Sequence, residues 1–99
     1  MTAMTLEARL VQAYVELELA PQDQNGVKSV PLVRCAAYEV RLVEFSQSVR
    51  TSPLFFWLEL FDFNKKVSID SGGADVLEEA LIVAEKLVSQ AKELSKNET

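Results

Sequence analysis

Between Val76 and Leu94 the apolar residues recur every three or four positions, while the segments before them alternate with a period of two. A helical period at one end of a chain and a strand period through its middle admit few folds. Val76, Leu77, Ala80, Leu81, Val83, Ala84, Leu87, Val88, Ala91 and Leu94 form a broad apolar arc that must lie on something. Asp75 suits the N-cap of this helix, with Glu78 three residues on as in a capping box. Glu79 in the first turn and Lys92 and Lys96 near the end match the helix dipole. Residues 95–99, SKNET, read as a frayed tail.

Upstream, three segments alternate. In YVELEL, Tyr14 to Leu19, the residues Val15, Leu17 and Leu19 oppose Glu16 and Glu18. In CAAYEVRLVEF, Cys35 to Phe45, the residues Tyr38, Val40 and Leu42 oppose Glu39 and Arg41. LFFWLELF, Leu54 to Phe61, is the most apolar and has aromatics of high strand preference. VSI is a short fourth strand. APQDQNGVKSVP, with Pro21, Asn25-Gly26 and Pro31, reads as a long connection, SQSVRTSP as a second loop and DFNKK as a turn. Leu6, Leu10, Tyr14 and Leu17 also fit helical spacing, so a short N-terminal helix is possible. A first strand from about Arg9 is preferred, because a continued helix would carry Glu16 or Glu18 to a buried side. The expected fold is α+β, a single domain over residues 1–99. It is an antiparallel four-stranded meander with one long C-terminal helix packed on one face (β-β-β-β-α).

Alternation then sorts the side chains. Val15, Leu17, Leu19, Tyr38, Val40, Leu42, Phe56, Leu58 and Leu60 face the helix. Tyr14, Glu16, Glu18, Glu39, Arg41, Val43, Phe45, Phe55, Trp57, Glu59 and Phe61 take the opposite face. One helix covers one face only, which leaves Val43, Phe45, Phe55, Trp57 and Phe61 without a cover from the chain. These five are the candidate interface residues. A second copy, or another protein, fits an apolar centre rimmed by charge; an N-terminal helix folded over the same face is the alternative. A mean hydropathy of +0.07 in so short a chain also points to surface hidden by self-association.

Several functions are disfavoured. SIDSGGADVLEEA, Ser68 to Ala80, has the outline of a phosphate-binding loop: strand, glycines, helix. It lacks the lysine and hydroxyl of one such motif and the three spaced glycines of the other. Asp70, Asp75, Glu78 and Glu79 would repel an anion there. The plainer reading is a sharp corner at Gly72-Gly73. With no histidine and a single cysteine, Cys35, neither nucleophilic triads nor a zinc site can be assembled in the usual way. Cys35 reads as a small buried hydrophobe. Glu16, Glu18, Glu39 and Glu59 could share a face, yet a flat sheet has no cleft for acid–base chemistry. No catalytic, cofactor-binding or metal residues are therefore expected. A net charge of −5 with scattered basic residues argues against nucleic acid. The absence of a long apolar run argues against a membrane, and one cysteine suits a reducing cytoplasm. The expected protein is a non-catalytic interaction or self-assembly module, a homodimer whose two copies meet at the second sheet face. A small-ligand binder with Tyr38, Glu44 and Asp62 at the mouth of a pocket is the alternative.

Overall fold

A computed structural model describes residues 5–21, 24, 27–45 and 56–97. Helix α1 spans Leu6–Leu19, strands β1 to β4 span Val27–Cys35, Tyr38–Phe45, Phe56–Asp62 and Val67–Ala74, and helix α2 spans Leu77–Lys96. The four strands form one antiparallel sheet in the order β1-β2-β3-β4. The fold is thus the expected α+β meander with its C-terminal helix, plus an N-terminal helix.

That N-terminal helix corrects the first strand. Residues 14–19 belong to α1, and the sheet's first strand comes from the segment read as a connection. The helical set Leu10, Ala13 and Leu17 is buried, whereas Val15 and Leu19 are 59% and 87% exposed. Glu16 and Glu18 meet no buried side at all, since they project outward from the helix. Glu16 instead pairs with Arg9 at 3.0 Å. Thr5 caps α1, its Oγ1 accepting from the Ala8 amide at 3.1 Å. β1 tolerates Pro31 because it is an edge strand, and its register with β2 shifts between Pro31 and Val33.

The strand read as running from Cys35 is two strands. Cys35 ends β1 and faces Tyr38 across a two-residue turn, Ala36-Ala37, in which Ala36 takes φ 54°. That left-handed residue is one that glycine or asparagine would normally supply. Cys35 itself is only half-buried, against the core. At the β3–β4 turn, buried Asp62 accepts from the amides of Asn64 and Lys65 at 2.9 and 3.2 Å.

The glycine corner is also corrected. Gly72 and Gly73 lie inside β4, which is longer than VSI. A Cβ on Gly72 would sit 2.9 Å from Val83 Cγ1, so the glycine lets α2 approach the sheet closely. α2 starts later than expected: its N-cap is Val76, without a side-chain cap, and Asp75 is not the cap. It continues through Lys96, so residues 95 and 96 are helical.

Both helices pack on one face of the sheet. Leu10 and Ala13 of α1 and Ala80, Ala84, Leu87 and Ala91 of α2 share a core with Val40, Leu42, Phe56, Leu58 and Leu60. Tyr14 of α1 stacks on Phe56 with ring centroids 5.0 Å apart. The inward set on β2 and β3 is therefore the one alternation assigned. α1 completes this core and does not fold over the other face.

Candidate interaction face of the sheet

The face away from the helices is built from three cross-strand rows. Ser29, Val43, Trp57 and Gly73 form the first; Pro31, Arg41, Glu59 and Ser71 the second; Arg34, Glu39, Phe61 and Ser68 the third. Tyr14, Glu16 and Glu18 are absent from it, being on α1. Neither helix packs on these rows.

Of the expected interface residues, Trp57 and Phe61 are half-buried and Val43 is buried at 5% exposure. Val43 sits between Ser29 and Trp57 in its row. Phe45 is the last residue of β2, with its side chain outside what is described, and Phe55 lies outside the described residues.

The face is less bare than a purely apolar sheet because two arginines lie across its aromatics. The Arg41 guanidinium carbon is 4.4 Å from the Phe61 ring centre and that of Arg34 is 4.0 Å from the Phe63 ring centre. The two rings are themselves 5.1 Å apart. Glu39 ties the arginines together, with Oε1 2.9 Å from Arg41 Nη2 and Oε2 3.9 Å from Arg34 Nη1. Glu39 and Arg41 are 14% and 18% exposed. Arg41 Nε is buried with no hydrogen-bond partner, which makes the cluster incompletely satisfied. Phe63 and Arg34 escaped sequence reasoning. Positions 57, 59, 61 and 63 continue one period-two series, which was the available signal for Phe63; Arg34 is carried there by the shifted register of β1.

Of the carboxylates expected to share a face, only Glu39 and Glu59 do, and Glu39 is held by arginine. Tyr38 and Asp62 are buried cross-strand partners, and Asp62 is committed to its turn. Two grooves lie elsewhere. An open groove of about 590 Å³ runs between the start of α1, β1 and α2, past Leu6, Arg9, Leu32, Val88 and Lys92. A second, of about 660 Å³, lies between β4 and α2, past Ile69, Lys86, Gln90, Glu93 and Leu94. Among the described residues, no group of three or more acidic or cysteine side chains could hold a metal ion, and no helix is long and apolar enough to cross a membrane. Comparison with known protein families, curated proteins and solved structures finds no match to this chain.

Proposed function

We propose that the protein is a non-catalytic interaction module that self-associates into a two-fold dimer through the sheet face opposite its helices. One observation carries this: α1 joins α2 on the same side of the sheet, so neither helix packs over the half-buried Trp57 and Phe61 on the other side. Charge supports the choice of a second copy. The chain carries −5 overall and would repel itself, but this face holds Arg34 and Arg41 against Glu39 and Glu59. Such a balanced patch meets its own copy without net repulsion, and a two-fold axis lets arginines of one copy face carboxylates of the other. Trp57 supplies the large aromatic anchor that tends to dominate such contacts. Support for the small-ligand alternative is weaker, since Tyr38 and Asp62 are used within the fold.

Light scattering coupled to gel filtration tests the proposal. Wild type elutes as a dimer at micromolar concentration and Trp57→Glu as a folded monomer. A monomeric wild type at high micromolar concentration refutes it.

A further inference from the structure

An open sheet has two edges, and here they differ. The β1 edge carries Pro31, which has no amide hydrogen, and its register is broken by the shift beside it. Arg9 also donates from Nη2 to the Pro31 carbonyl. Proline, a bulge and a guanidinium on the backbone all discourage strand addition. β4 has neither proline nor basic residue from Val67 to Ala74, and its one strand neighbour is β3.

An antiparallel ladder leaves alternate amides and carbonyls of its edge strand pointing outward. The Ser71 amide donates to its neighbour Asp70, at 2.8 Å from Oδ1, while Gln90 of α2 holds Oδ2 at 2.7 Å. Two residues on, the Gly73 amide points the same way by the pleat, and no side chain accepts from it among the described residues. Val67 and Ile69 are 48% and 42% exposed, and the groove between β4 and α2 begins at Ile69. Charge is polarised along this edge. Exposed Lys65 and Lys66 precede β4, and exposed Asp75, Glu78 and Glu79 follow it, none in an ion pair among the described residues.

We propose that the β4 edge is a strand-addition site for an extended segment of a partner protein, added antiparallel to β4. Its main chain bonds the outward groups of Ser71 and Gly73, and alternate apolar side chains enter the groove beside Ile69. Antiparallel addition sets its N-terminal end against Asp75, Glu78 and Glu79 and its C-terminal end against Lys65 and Lys66. The segment is therefore basic at its start and acidic at its end. While the edge is vacant, the Asp70 carboxylate takes the place of the incoming carbonyl at the Ser71 amide.

The probe is a fluorescent peptide of sequence KKTVTVTEE, titrated with the full chain by anisotropy. Binding at micromolar concentration is expected, with the reversed-charge peptide EETVTVTKK weaker. Gly73→Pro removes one outward donor in an edge position that admits proline, and weakens binding by about tenfold. Ile69→Asp, at an exposed site that leaves folding intact, also weakens it. Arg41→Ala leaves peptide binding unchanged, which separates this edge from the proposed dimer face. No binding by wild type, equal binding by the two peptides, or wild-type affinity in both Gly73→Pro and Ile69→Asp overturns the proposal.

Discussion

Gly72→Ala is the substitution whose outcome the packing of α2 on β4 determines most directly. On an isolated strand, alanine for glycine restricts the unfolded chain and stabilises by about 0.4–1 kcal/mol. Here the added methyl would stand 2.9 Å from Val83 Cγ1, with the other Val83 side-chain carbons at 3.7 and 3.9 Å. Val83 cannot simply swing aside, because a valine in a helix has one strongly preferred rotamer. Overpacking of this kind costs about 1–3 kcal/mol. The penalty exceeds the gain, so Gly72→Ala is destabilising by roughly 1 kcal/mol, a fall in Tm of roughly 4–8 °C for a domain of this size. The cause is isolated by repeating the change in Val83→Ala. With the γ carbons gone, Gly72→Ala becomes neutral or stabilising, and the coupling between the two sites is about 1–3 kcal/mol. Urea denaturation of the four proteins measures all of this. A Gly72→Ala protein at least as stable as wild type refutes the close approach of α2. So does the same penalty in both backgrounds, since Val83 would then not be its source.

Two further outcomes follow from α1 and from Asp70. Leu10→Ala, at a fully buried site of α1, costs about 2–5 kcal/mol. Val15→Ser, at an exposed one, stays within about 0.5 kcal/mol of wild type; a large loss from Val15→Ser would return this segment to the sheet. The Asp70 carboxyl is held below its ordinary value of 3.8, first by the Gln90 hydrogen bond and then by the Ser71 amide and the charge of Lys86, against burial, which raises it. A pKa depressed by folding contributes stability that is present above the unfolded value and lost as pH falls through the folded one. Stability therefore declines on acidification below 3.8, and Gln90→Leu makes that decline shallower; superimposable acid profiles of the two proteins would contradict the assignment.

The legible parts of this chain were those where periodicity ran long and turn chemistry was conventional. In β2 and β3, alternation from Tyr38 and from Phe56 placed the buried apolar residues on the correct side, whereas buried Asp62 read as part of a turn. The α2 arc was equally plain. The Ala36-Ala37 turn was hidden because no glycine, asparagine or proline marks it. β1 was hidden because Pro31 and Asn25-Gly26 resemble a loop, although an edge strand admits a proline. Gly72-Gly73 resembled a corner for the same reason: glycine signals a special backbone, and only the neighbour across the interface says whether that means a turn or a close approach. At the candidate face, Trp57 and Phe61 were readable by parity. Their arginine cover was not, because it depends on which residue the shifted β1 brings beside Glu39.

Local pattern by itself determined that there would be an antiparallel sheet, an apolar α2, and aromatic side chains on both faces of β3, since these follow from the geometry of one element at a time. Residues 14–19 satisfy a period of two and a period of 3.6 together, so no local rule chooses between strand and helix. The choice is made by what is available to bury: as a helix, the segment sets Leu10, Ala13 and Leu17 into the same core as α2, and Val27–Cys35 takes the vacant strand position. That decision belongs to the tertiary structure, because hydrophobic burial is gained only when distant segments meet. It also determines which face of the sheet the helices leave open.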